Sequence, residues 1–131
     1  MYKFYIASGF KNIENVRHVS DKLKDAGFIQ TYDWTQNQRA TTIEDLKEIG
    51  TLEKNAVMEA DFFIILLPAG KSSHIELGMA LGLGKRIYLY SENAEYNHFE
   101  TTSTFYHLPE VNRYNGSIDG LVATLKRNAG L

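Results

Sequence analysis

The run Phe62-Phe63-Ile64-Ile65-Leu66-Leu67 constrains this chain more than any other stretch. A strand with one wet face alternates apolar and polar residues. A run without alternation belongs to a strand buried on both faces, as in a parallel sheet covered by helices. The run is preceded by Ala60-Asp61 and followed by a turn, Pro68-Ala69-Gly70-Lys71-Ser72-Ser73. A helix of small residues comes next, then a second apolar run over residues 86–90. This is a β-loop-α-β unit with a carboxylate, Glu76, one turn into its helix.

The flanking segments repeat the pattern. Residues 2–8 are rich in aromatic and β-branched types and read as a first strand, with a turn over residues 9–12. Ile13, Val16, Val19, Leu23 and Ala26 mark the stripe of a helix that Gly27 ends. Residues 28–33 read as a second strand, and residues 35–42 as a polar loop. Thr42 with Asp45 opens a second helix whose buried face would carry Leu46, Ile49, Ala56, Val57 and Ala60. Gly50 marks a weak point that admits a kink or a break. Glu53 falls in or beside the apolar stripe, where a charge needs a partner or a cleft. Residues 91–110 form a long connection whose aromatics argue against simple disorder. Within it, Tyr106 and His107 could form a lid or pack at an interface. Residues 111–114 read as a last strand, and Ile118, Leu121, Val122 and Leu125 mark a last helix.

Strands alternating with helices predict an α/β flavodoxin-like three-layer sandwich with a five-stranded parallel sheet, one domain over residues 1–131. Ligands of such folds bind beyond the carboxyl ends of the strands, where residues 8–12, 32–35 and 68–73 converge. A net charge of −2 gives no reason to expect a nucleic-acid or membrane surface. The absence of cysteine excludes disulfides and thiolate metal sites. No apolar stretch approaches the roughly 20 residues that span a bilayer. The expectation is a cytoplasmic protein with a small-molecule partner and no metal or cofactor.

At the converging edge, Gly70, Lys71, Ser72 and Ser73 lead into a helix N-terminus, where free N–H groups, an ammonium and two hydroxyls suit a phosphate or a ring of sugar hydroxyls. The spacing is not that of a P-loop. Glu76 has two readings. Ser73-His74-Ile75-Glu76 fits a capping box, in which the glutamate bonds back to the helix start. An ionised carboxylate facing a sugar is equally what a glycosyl-transferring nucleophile requires. Asp33 and Trp34 could hold a planar base by hydrogen bonding and stacking, or be a turn residue and a core residue. His74 reads as a surface or cap-adjacent residue. Gly78, Gly82 and Gly84 each weaken a helix by about 1 kcal/mol, a cost that close packing on the sheet or on a neighbouring subunit would offset.

Tyr5-Ile6-Ala7-Ser8-Gly9-Phe10, Ala60-Asp61, His74-Ile75-Glu76-Leu77-Gly78-Met79-Ala80 and Gly84-Lys85 together resemble the nucleoside 2-deoxyribosyltransferase superfamily, which includes the 2-deoxynucleotide N-hydrolases. The resemblance implies a flavodoxin-like fold and attack by Glu76 on the anomeric carbon of a 2-deoxyribose, with a second base or water taking up the sugar. It implies that Ser8, Gly9 and Phe10 line the sugar or its 5′ substituent and that Glu53 positions the ribose. It also implies a homodimer that completes its site between subunits, with residues 92–110 serving the neighbour's pocket. Six residues before the nucleophile the transferases carry aspartate and the nucleotide hydrolases serine, where this chain has Gly70. The segment from Pro68 to Glu76 is also weakly similar to the phosphoribohydrolases that activate cytokinins. Both resemblances concern N-glycosidic bonds of nucleosides or nucleoside 5′-monophosphates, where Lys11 and Lys71 would suit the phosphate. A nucleotide-binding module of the same fold without catalysis is the alternative.

Overall fold

The apolar run forms β3 (Phe62–Leu66), and all five of its residues are buried. It lies between β1 (Lys3–Ala7) and β4 (Arg86–Ser91), with β2 (Ile29–Gln30) and β5 (Val111–Asn115) at the two edges. Every pairing is parallel, and the order is β2-β1-β3-β4-β5. This is the flavodoxin-like order, whose switch point falls between β1 and β3. The computed structural model describes residues 2–131. Four helices, α1 (Ile13–Asp25), α2 (Ile43–Glu59), α3 (Lys71–Gly82) and α4 (Ile118–Asn128), complete a three-layer α/β sandwich. α1 packs with α4, and α2 with α3.

Two elements depart from the sequence reading for reasons of geometry. β2 is two residues long rather than six. As an edge strand it has one partner, and its last bond to β1 is from Thr31 N–H to the Phe4 carbonyl, 2.9 Å. Beyond it the chain turns into a 3-10 helix over Trp34–Gln36, capped by Asp33. α2 is unbroken through Gly50, so the helix does not break there. Only Ala56 and Val57 of the helix are buried, followed by Ala60 at its end, whereas Leu46 is 56% exposed. The 17 residues of α2 extend about 26 Å, against about 17 Å for the five-residue strands beneath it. In a βαβ crossover the helix starts at the carboxyl edge of the sheet. The first turns of α2 therefore overhang that edge and form a wall above it.

The long connection after β4 is ordered by two short 3-10 helices, Glu95–Asn97 and Thr104–His107. Tyr96 and Tyr106 are buried, and Arg113 donates to the Tyr106 carbonyl at 2.7 Å. His74 Nε2 and Tyr106 Oη lie 2.6 Å apart, so the segment is pinned to the flank of α3. The glycines of α3 are not explained by close packing within the chain. A Cβ at Gly78 or Gly82 would meet nothing within 4 Å. Gly84 has a φ of +69° and sits just past the helix, in the left-handed conformation that glycine adopts most easily. Among the described residues, no helix is long and apolar enough to cross a membrane.

Candidate active site

A cavity of about 830 Å3 opens at the switch point, within the range of small-molecule sites. One wall comes from the loop after β1 (Ser8, Gly9, Phe10) and the start of α3 (Gly70, Lys71, Ser72, Ser73). The other comes from Trp34, from residues 37–40, and from Leu46, Ile49 and Gly50 on the overhanging turns of α2. Tyr5, Glu53 and Glu76 also line it, on β1, α2 and α3.

The Tyr5 side chain is fully buried, and its hydroxyl joins the two carboxylates. Tyr5 Oη donates to Glu76 Oε2 at 2.8 Å, and Glu53 Oε2 lies 3.5 Å from the same oxygen. A phenol has one proton to donate, so the shorter contact is the bond and the longer one a weak second acceptor. The two distances place these carboxylate oxygens at most about 6.3 Å apart. Glu76 is only 7% exposed. Burial pushes its carboxyl up to about 7; the Tyr5 bond opposes the rise and the Glu53 charge adds to it. Burial also raises Glu53, less strongly opposed by Tyr5 than it is driven by desolvation. Burial, with both carboxylates beside it, drives the Tyr5 phenol far above its ordinary value, so it stays protonated.

This geometry overturns the capping-box reading of Glu76. α3 starts at Lys71, three residues earlier than a Ser73 cap requires, and Gly70 is its N-cap with no side-chain bond. Ser73 Oγ instead donates to the Ser8 carbonyl at 3.2 Å. Ser8 Oγ donates to the Leu66 carbonyl at 2.7 Å and accepts from Asn12 at 3.1 Å. Asn12 also reaches the Pro68 carbonyl at 3.3 Å. These bonds lace the two loops together, so the hydroxyls of Ser8 and Ser73 already have partners, and Ser72 is left exposed on the wall.

The aromatic candidates divide. Trp34 is buried and lines the cavity, with Nε1 donating to the Ile6 carbonyl at 2.7 Å. Phe10, 75% exposed, meets it edge to face at 5.7 Å. Asp33 does not line the cavity: its Oδ1 accepts from the amide and the hydroxyl of Thr35. Lys11, His74, Tyr106 and His107 also lie outside the lining, so the 91–110 segment forms no lid over this cavity. Sequence reading missed Tyr5, because a tyrosine in an apolar strand has the signature of core. It also missed Asn37, Gln38, Arg39 and Ala40, which lie in a loop without periodicity.

Fold and site together define a flavodoxin-like α/β protein with a carboxylate-lined cavity at its switch point. The CMP N-glycosidase BcmB of Clostridium botulinum shares the fold with a TM-score of 0.67 at 18% identity, over 95% of this chain and 98% of that one. A conserved protein from Enterococcus faecalis V583 also matches with a TM-score of 0.67, at 16% identity, over 98% of this chain and 99% of that one. No family model and no curated protein sequence matches the chain.

The raised carboxyl of Glu76 makes stability depend on pH. From the ordinary value of 4.5 up to about 7, folded Glu76 holds a proton that the unfolded chain has released. Stability therefore falls as pH rises through that window and levels off above it. Glu76→Gln keeps an acceptor for Tyr5 and removes the titration. The variant should match the wild type near pH 4.5 and exceed it by on the order of 3 kcal/mol at pH 8, read by urea unfolding. An equal difference at both pH values would contradict a buried, titrating Glu76.

Proposed function

We propose that this protein cleaves the N-glycosidic bond of a nucleoside or nucleoside 5′-monophosphate, with Glu76 as the nucleophile. The observation that carries the reading is a carboxylate buried in a ligand-sized cavity and oriented by a tyrosine, with a second carboxylate on the same hydroxyl. Inverting glycosidases hold their carboxyl groups roughly 6.5–9.5 Å apart to admit a water, and retaining ones about 5–5.5 Å apart so that one attacks the sugar directly. The oxygens nearest Tyr5 are at most about 6.3 Å apart here, close enough for both carboxylates to act on one sugar. Likeness of fold to a CMP N-glycosidase supports the substrate class.

In this mechanism ionised Glu76 attacks the anomeric carbon. The bond to the base breaks, its electron pair leaves with the base, and a glycosyl ester remains on Glu76. Water or a second base then attacks the same carbon and releases the carboxylate, its proton passing through solvent so that overall the departed base gains one. Tyr5 keeps its proton throughout and fixes the Glu76 carboxylate for attack. Glu53 accepts a hydrogen bond from a sugar hydroxyl. The uncapped N–H groups at Gly70–Ser73, with Lys71 and Ser72, receive a 5′-phosphate. Gly70, the N-cap of α3, lines the cavity at this helix start.

The reading includes a homodimer. Supporting it, Ile43, Leu46, Leu52, Met58, Ile75 and Leu83 are exposed on α2 and α3 or at their ends, whereas α1 and α4 expose no large apolar side chain. Sedimentation should give twice the chain mass, and a monomer at micromolar concentration would count against it.

Incubation with deoxynucleosides, ribonucleosides and their monophosphates, read by chromatography, should show release of free base. Glu76→Ala should lower that rate by on the order of 10³-fold or more while the fold persists. Because only ionised Glu76 attacks, the rate should climb about tenfold per pH unit below 7 and level off above it. Equal turnover by mutant and wild type would overturn the mechanism. Ligand-induced thermal stabilisation without base release across the panel would favour the non-catalytic module.

A further inference from the structure

Breaking an N-glycosidic bond leaves an electron pair on the base, and something in the site must take up that charge. Tyr5, Glu53 and Glu76 carry no positive charge to offer. The two cations among the lining residues are Lys71 and Arg39, and they come from different elements. Lys71 opens α3, on the wall shared with the loop after β1. Arg39 lies in the segment between the 3-10 helix at Trp34 and the start of α2. With the 5′-phosphate at Lys71 and the sugar at Glu76, Arg39 is the lining cation left for the base.

We propose that Arg39 takes up the negative charge of the departing base, an assignment that rests on the N-glycosidase reading. The segment bearing it is anchored to the sheet through its neighbours. Tyr32 Oη donates to Asn37 Oδ1 at 2.6 Å, and Asn37 N–H donates to the Trp34 carbonyl at 3.1 Å. Trp34 is itself tied to the Ile6 carbonyl of β1, and Arg17 donates to the Thr35 carbonyl at 3.0 Å. Among the described residues Arg39 has no ion-pair partner, so its charge is not spent on a carboxylate. Its neighbours in the lining include Asn37, Gln38 and Ala40, and Arg39 itself is exposed, so its guanidinium is open to an entering ligand.

The chemistry of the side chain fits the task. A guanidinium presents parallel N–H donors that match two adjacent acceptors on a base edge. It does not give up a proton at working pH. The base therefore leaves as an anion held by Arg39, its electron pair spread over ring nitrogen and exocyclic oxygen. It gains a proton from solvent on release. The ester to Glu76 forms as the bond to the base breaks, so charge passes from the carboxylate to the base.

The test uses substrates with one sugar and a series of bases of graded acidity, each as nucleoside and as 5′-monophosphate. Single-turnover base release is compared for wild type, Arg39→Gln and Arg39→Lys, with thermal melts confirming that each variant is folded. Arg39→Gln should lose about 10²–10³-fold on the least acidic leaving groups, with the loss shrinking as the base becomes more acidic. The same dependence should appear with and without the phosphate, and Arg39→Lys should recover part of the rate. A loss confined to monophosphates would make Arg39 a phosphate contact and overturn the proposal. So would a loss independent of leaving group, or no loss at all. Failure of the wild type to release any base would instead remove the N-glycosidase reading, and this proposal with it.

Discussion

The structure of the site depends on one buried hydroxyl. Tyr5 sits on β1, beside the switch point of the sheet, with its ring stacked on Phe63 of β3 and its hydroxyl aimed between α2 and α3. A phenol supplies one proton to two carboxylates that burial has already made reluctant to ionise. The outcome is asymmetric: Glu76 holds the short bond, and Glu53 stands by at the longer distance. This arrangement gives a carboxylate with a fixed orientation and a charge that appears near neutral pH. It resides on a strand and two helices rather than on loops, so sheet packing holds its geometry.

The cavity follows from a mismatch of lengths. α2 is longer than the strands it covers, and its surplus lies at the carboxyl edge of the sheet. Leu46, Ile49 and Gly50 thereby become a wall instead of a core. The facing wall is rigid for a different reason, because Ser8, Asn12 and Ser73 tie the loop after β1 to the loop after β3. Acidic groups lie deep, between β1, α2 and α3, and the cations Lys71 and Arg39 lie exposed on separate segments of the lining. Such a separation suits a substrate that bonds covalently at one point and carries negative charge at its ends.

The sheet was legible because burial on both faces leaves a direct mark on composition. Phe62 to Leu67 could be read as a central strand without any partner in view, and the strand-helix alternation then determined the architecture. Glu76 was legible as a site candidate through its place after a strand and a glycine turn. Its partner was not. Spacing alone admits a Ser73 cap equally well, and only the third dimension shows α3 starting earlier and Glu76 facing Tyr5. The face of α2 was misjudged for a related reason: periodicity shows which side chains share a stripe, not how far the sheet beneath extends. Residues 37–40 carry no pattern, so their place on the cavity wall had no signal in the sequence.

The most direct test of the account is whether a glycosyl group becomes attached to Glu76. The enzyme should be quenched within one turnover on a substrate whose sugar slows the second step, and its intact mass and peptides then measured. The account predicts a mass increase equal to the glycosyl group, mapped to the peptide containing Glu76 and absent in Glu76→Gln. Base release with no adduct on any residue, or an adduct on Glu53 instead, would contradict it.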